Sequence, residues 1–294
     1  ERLFQQTGGL MIGPENGTVF AGALRSAREH RLAHEVLNAQ QLRERHPALH
    51  APAGSLAVWE PRAGILFPEK CVAAHLRLAA HHGAVLKSEE PLLDWNPVSD
   101  GVIVRSAKGQ YHARKLILCA GAWAPELLGD FPVSLRVERQ ILFWFGNRRP
   151  AQFRPDSFPV FLLEYALDHF CYGFPDLGNG VKVAQHHQGE LTTPTGVRRD
   201  VSTEEIQFMQ KLVAPFLPDL TNVVDSTVCM YTNTPSSHFL LDFHPAGRAV
   251  LVASPCSGHG FKFSSALGEI MANLVGDGET RFDLSLFRIS KHLA

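Results

Sequence analysis

Apolar residues recur at three- and four-residue intervals in four stretches of the chain, and each stretch predicts a helix. Phe20, Leu24 and Ala27 mark Thr18–Arg31, while Val72, Leu76, Ala79 and Ala80 mark Pro68–His82. Ile206, Met209, Leu212, Val213 and Phe216 follow Ser202 and Glu205, which have the spacing of a reciprocal N-terminal cap. Leu267, Ile270, Met271 and Leu274 mark Ser264–Val275, with Gly276 as the expected stop. Runs rich in β-branched and aromatic residues predict strands at Val102–Ser106, Tyr111–Arg114, Leu116–Cys119, Ile141–Phe145, Val160–Glu164, Val181–Gln185, His238–Asp242 and Val250–Ala253. Ala107-Lys108-Gly109 reads as a hairpin turn. Helices and strands are mixed without strict alternation, so two interleaved domains fit better than one doubly wound sheet. One of the two is dominated by antiparallel strands.

Composition narrows the functional classes. With 294 residues, 45% hydrophobic and 19% charged, the chain is an ordinary globular protein large enough for two connected domains. A net charge of −1, with basic residues scattered, excludes a nucleic-acid surface or a polybasic membrane patch. The longest apolar runs, Leu116–Trp123 and Ala249–Ser254, are too short to span a bilayer. Five cysteines without a CxxC pair fit a reducing cytoplasm rather than a disulfide framework or a zinc site. No histidine has the spacing of a metal site, and no G-x-S-x-G elbow marks a serine nucleophile.

Two stretches stand apart from generic globular sequence. One is Cys229-Met230-Tyr231-Thr232-Asn233-Thr234-Pro235, leading to His238-Phe239 and Asp242-Phe243-His244-Pro245. The other is Ser257-Gly258-His259-Gly260-Phe261-Lys262-Phe263. If the first is extended, Cys229 and Tyr231 face the same side, so one can hold a cofactor while the other reaches a substrate. The second opens a predicted helix, where backbone N–H groups attract an anion. Lys262 in the first turn of that helix opposes the macrodipole by about 0.3–1 kcal/mol, so a negative group should lie nearby. Lys182 and His186 share a face of a predicted strand but stand about 13 Å apart, too far for one acid–base pair. Taken alone, Cys229 would be a buried thiol, and Lys182 and His186 solvated surface residues.

With Ala120-Gly121-Ala122-Trp123 and Tyr172-Gly173-Phe174-Pro175 upstream, the order and spacing of these motifs resemble the monomeric sarcosine, N-methyltryptophan and pipecolate oxidases, from about Phe4 onward. The resemblance implies an α/β plus antiparallel β fold. It has a Rossmann-type FAD domain at 63–135 and 235–294, interleaved with a sheet-rich substrate domain at 1–62 and 136–234. It also implies FAD held through a thioether between Cys229 and the flavin 8α carbon, and passed by Gly121, Trp123 and the Gly258-His259-Gly260-Phe261 turn. Lys262 takes the substrate carboxylate and faces the flavin pyrimidine side. Lys182 stands near flavin N5, where oxygen is activated, and His186 and Tyr231 lie near the substrate. Tyr172 is either a pocket wall or a core aromatic. The implied activity is that of a monomeric, cytoplasmic oxidase of N-methyl-L-amino acids, with oxygen reduced to hydrogen peroxide and no metal. Alternatives are a pipecolate-type oxidase, a dehydrogenase that passes electrons to another protein, or a flavin-free remnant.

The sequence departs from the pattern in two places. The family begins with a strand, a G-x-G-x-x-G turn and a helix that cradle the FAD pyrophosphate, followed by an arginine for the substrate carboxylate. No such fingerprint occurs here, so the resemblance implies that this first βαβ unit is absent and that residues 1–294 alone hold FAD weakly and are inactive. In addition, Pro235-Ser236-Ser237-His238 lacks the acidic residue that relatives usually carry before the histidine.

Overall fold

The computed structural model describes residues 1–293. They form two interleaved units of mixed α/β and antiparallel architecture. The first holds Glu1–Cys71, Gln140–Gly189 and Arg198–Cys229; the second holds Val72–Arg139, Glu190–Val197 and the chain from Met230 onward. Of the five boundaries, two fall inside the long strands Arg136–Asn147 and Leu220–Asn233 and one inside the helix Pro68–His81.

The first unit is built on a mixed sheet. Its strands run in the order Arg136–Asn147, Val181–His186, His169–Phe174, Val160–Ala166, Gly9–Gly13, Leu56–Glu60 and Glu35–Asn38. Leu220–Asn233 also pairs with Arg136–Asn147. Alternation along these strands sorts the side chains by face. Phe143, Phe145, Val181, Val183, Cys171, Phe161, Leu163, Leu10, Ile12 and Trp59 enter one hydrophobic core, covered by Met209 and Val213 of the helix Thr203–Val213. The registers Trp144↔Lys182 and Lys182↔Phe174 put those three side chains on the opposite face. Thr203–Val213 starts at the expected cap: Glu205 N donates to Ser202 Oγ at 3.3 Å, and Ser202 N donates to Glu205 Oε2 at 2.8 Å.

The helix Thr18–Glu29 has Gly17 at its N-cap and no side-chain cap of its own. Glu164, from the end of the strand Val160–Ala166, supplies one from across the fold. It is 3% exposed and accepts a hydrogen bond from Val19 N at 3.0 Å. A carboxylate at a helix N-terminus also meets the favourable end of the macrodipole. Glu164→Ala leaves a buried N–H unpaired and is expected to cost about 1–3 kcal/mol, read as a lower urea midpoint. Glu164→Gln, which keeps an acceptor, should cost less.

The second unit centres on three strands, Leu240–Phe243, Val250–Ser254 and Leu116–Leu118, of which the last two are parallel. The strand Val250–Ser254 is buried throughout, as a strand covered on both faces must be. Val250 and Val252 join Leu118, Leu128 and Val102 on one side. Leu251 and Ala253 join Leu267, Ile270 and Leu274 of the helix Ser264–Gly276 on the other. The hairpin Gly101–Ser106/Gln110–Ala113 closes through Ser106 N donating to Gly109 O at 2.8 Å.

The structure corrects several sequence-based expectations. The helix Ser264–Gly276 includes Gly276; the left-handed residue is Gly278, with φ +83, whose N–H turns back to Asn273 O. The strand expected at His238–Asp242 lies at Leu240–Phe243, because Thr234 Oγ1 donates to His238 O at 2.6 Å and holds that residue in the preceding turn. The helix Pro68–His81 forms with Pro68 at its first position, yet none of its residues is buried, and Val72 and Leu76 stay 48% and 47% exposed.

Candidate functional site

On the face of the first unit's sheet opposite its hydrophobic core, Lys182 lies beside the rings of its two cross-strand partners. Its Nζ is 5.3 Å from the Trp144 ring centre and 5.2 Å from that of Phe174. Burial among the rings draws the Lys182 pKa below the ordinary lysine value, while Cys229 and Glu69 pull it back up. Cys229 therefore lies within the electrostatic field of Lys182. Its side chain belongs to an exposed residue of the strand Leu220–Asn233, and the strand geometry places Tyr231 on the same side. Further along the face, the Tyr172 and His186 rings meet edge to face at 6.1 Å. Beyond His186, His187 and Gln188 both have positive φ, +62 and +72. Two left-handed non-glycine residues in succession cost about 1–2 kcal/mol each and fix the path of the chain beside His186.

In the second unit, the parallel pair Leu116–Leu118 and Val250–Ser254 sends two loops from the same carboxyl end of the sheet. One enters the 3-10 turn Gly121–Trp123, and the other passes through Pro255–Gly260. Cys119 and Cys256, at the roots of the two loops, are close enough that Cys256 adds to burial in raising the Cys119 pKa. In open α/β sheets, crevices outside the carboxyl ends of the strands are where ligands bind.

The second loop is tightly held. Ser257 is fully buried with φ +46; its N–H donates to Thr232 O at 2.9 Å, and its Oγ accepts from Thr234 N at 3.3 Å. Gly258 follows with φ +77. A Cβ on Gly260 would stand 1.5 Å from Pro255 O, so no side chain fits there. His259 stacks on Phe239 at 4.8 Å, with Nε2 3.1 Å from Ser237 O.

Lys262 departs from expectation in one respect. It sits in a 3-10 turn, Phe261–Phe263, that precedes the helix Ser264–Gly276, rather than in the first turn of that helix. The residue keeps an exposed surface, yet burial around the ammonium lowers its pKa from the ordinary lysine value.

The structure thus groups Tyr172, Lys182, His186 and Cys229 in the first unit. Gly121, Trp123, Tyr231 and Gly258–Lys262 lie in the second. Sequence reasoning missed Trp144, whose place beside Lys182 depends on strand register, and the role of Phe239, quoted within the first motif, as the platform for His259. Among the described residues there is no group of three or more His, Cys, Asp and Glu side chains placed to hold a metal. No described helix is long and apolar enough to cross a membrane.

Each unit, taken by itself, offers features suited to a large flat cofactor: the first an exposed thiol and a cation flanked by rings, the second a turn at the carboxyl end of parallel strands whose Gly260 has no room for a side chain.

The model of the family described as FAD dependent oxidoreductase matches residues 1–274. Monomeric sarcosine oxidase of Streptomyces avermitilis is 42% identical over 287 residues, covering 96% of this chain and 75% of that protein. N-methyl-L-tryptophan oxidase of Yersinia pestis is 32% identical over 298 residues, covering 99% and 78%. Among solved structures, NikD, described as an unusual amino acid oxidase, matches with a TM-score of 0.81 at 20% identity, covering 98% of this chain and 77% of that one. At that identity the likeness bears on the fold alone.

Proposed function

The chain belongs to the FAD-dependent oxidoreductase family and is a flavin-dependent amine oxidoreductase, and from that premise we propose that it oxidises the secondary amine of small N-methyl-L-amino acids, with oxygen as acceptor and FAD attached through Cys229. In this reaction the CH–NH group loses two electrons and two protons to become C=N. Oxygen takes both to give hydrogen peroxide, and water then hydrolyses the imine. FAD, when bound, supplies the two-electron relay between amine and oxygen.

The protein's own residues bind, orient and polarise. The Cys229 thiol would hold the flavin, and the Gly258–Gly260 turn would let backbone approach it without side-chain hindrance. The Lys262 ammonium would bind the substrate carboxylate, with Tyr231, Tyr172 and His186 shaping the space around the amine. Lys182 would face the negative charge that develops on oxygen, and the Trp144 and Phe174 rings would exclude water from it. Five cysteines without a CxxC pair fit a reducing cytoplasm, where we place the enzyme as a monomer.

The observation that carries this reading is the exposed Cys229 thiol within the field of Lys182. It is tested by acid denaturation of the flavin-loaded protein. Flavin should remain with the polypeptide and map to Cys229, and Cys229→Ser should release all of it to the supernatant. Full release from the unmodified protein would end the covalent assignment. Peroxide formation with N-methylglycine and N-methyltryptophan tests the substrate class; silence with both would remove it.

A further inference from the structure

One buried carboxylate of the second unit has no part in the oxidation proposed above. Glu138, on the strand Arg136–Asn147, is 7% exposed. Its Oε2 accepts a hydrogen bond of 2.6 Å from Asn233 Nδ2, at the end of the paired strand Leu220–Asn233. Facing an ionised carboxylate, the Asn233 amide can donate but not accept, so it is held one way round. That orientation leaves Asn233 Oδ1 buried without a partner. Native proteins leave few atoms in this state, and stability alone is a poor reason to hold the amide so.

The segment around Asn233 ties two parts of the second unit together. Its backbone is clasped by Ser257: Ser257 N donates to Thr232 O at 2.9 Å, and Thr234 N donates to Ser257 Oγ at 3.3 Å. Thr232, Thr234 and Ser257 are all buried. Ser257 opens the turn that runs through Gly260, where no side chain fits, to Lys262. Tyr231 stands two residues before Asn233, on the same side of the strand by alternation. Glu138 thus grips by its side chain the segment whose backbone carries the turn. Glu138, Tyr231, Asn233, Ser257 and Lys262 all belong to this one unit.

We propose that Glu138 is a positioning residue for amine oxidation: through Asn233 it fixes the strand end that presents Tyr231 and, through Ser257, the turn that presents Lys262. The proposal rests on the reading that Lys262 binds the substrate carboxylate and Tyr231 lies beside the amine. Glu138 acts through Asn233, without touching the substrate.

The test exchanges the two groups. Asn233→Asp sets carboxylate against carboxylate and should loosen the clasp. Adding Glu138→Gln restores the hydrogen bond in reverse, because the new amide donates to the new carboxylate. Hydrogen exchange of the full chain reads the clasp without any substrate. Asn233→Asp should speed exchange at the Thr234 and Ser257 amides about tenfold, as for one lost hydrogen bond to a charged group, and the double variant should return it to the parent rate. Amides of the buried strand Val250–Ser254 should stay as slow as in the parent. In the flavin-loaded enzyme, Asn233→Asp should raise the KM for N-methylglycine about tenfold while kcat changes less than about threefold, and the double variant should lower the KM again. Where Asn233→Asp does not fold, Asn233→Ala, which removes the bond without adding charge, supplies the loosened state. Unchanged exchange at Thr234 and Ser257 overturns the clasp. Faster exchange with an unmoved KM, or a double variant no better than the single, overturns the positioning role. A parent that fails to oxidise N-methylglycine removes the reading of function instead, and the exchange rates alone then decide whether Glu138 sets the turn.

Discussion

Lys182→Met is expected to slow oxygen consumption by about 10²–10³, the usual loss when one positioned charge is removed from a developing anion. Anaerobic oxidation of the amine, read as bleaching of the flavin absorbance, should be far less affected. Methionine keeps the length and apolar volume of the lysine stem, so the space between Trp144 and Phe174 stays filled. What disappears is the cation alone. Stopped-flow measurement of each half-reaction separates the roles, and an unchanged oxygen rate would remove Lys182 from the reaction.

The same lysine predicts a pH dependence with a definite sign. Burial lowers its pKa from the usual 10.5, and only the protonated form stabilises an anion. The oxygen rate should therefore be greatest below that lowered pKa and fall as the pH rises through it, with the fall beginning at lower pH than an ordinary lysine would give. Lys182→Met should abolish this limb of the profile. Cys229 and Glu69 act in the opposite direction, so Glu69→Gln should move the limb to still lower pH.

Local chemistry was legible in the sequence wherever one element sufficed to express it. Ser202 and Glu205 announce their helix because a capping box needs only four residues. The run Val250–Ser254 reads as a strand because burial on both faces leaves it apolar throughout. The shared face of Lys182 and His186 follows from strand alternation alone.

Features that depend on pairing between distant segments were hidden. Trp144 reaches Lys182 only through the register of two strands. Glu164 looks like a polar strand end, and its function as a cap depends on Val19, 145 residues away in sequence. The long strand Leu220–Asn233 has buried residues only at Leu220, Val228 and Thr232, so it offers no period-two signal to read. Asn233 stands within the first motif, yet only the fold shows that its side chain meets Glu138.

Gly260→Ala should be among the most damaging single-methyl changes in the chain. The residue has φ −82 and ψ −26, a conformation any amino acid adopts, so backbone freedom is not the reason for glycine. Space is the reason. The added Cβ would fall 1.5 Å from Pro255 O and 2.6 Å from Pro255 C, both backbone atoms that cannot swing aside. Nor can the loop open easily, because Ser257 is clasped by Thr232 O and Thr234 N, and Phe263 N donates to Gly260 O at 3.0 Å. Relief requires pulling the Pro255–Gly260 turn away from the strand ends, at a cost of about 3 kcal/mol, near the upper end for overpacking. Flavin retention should fall with it, since that turn is where we place the cofactor. Two neighbours calibrate the effect. Gly258→Ala introduces left-handed strain, with φ +77, and should cost about 1–2 kcal/mol. Gly268→Ala, in the helix Ser264–Gly276 with nothing within 4 Å of the new methyl, should stabilise by up to about 1 kcal/mol. Urea and thermal melts of the three variants should rank them in that order, and a Gly260→Ala protein that melts with the parent would show that the close approach to Pro255 does not hold the turn.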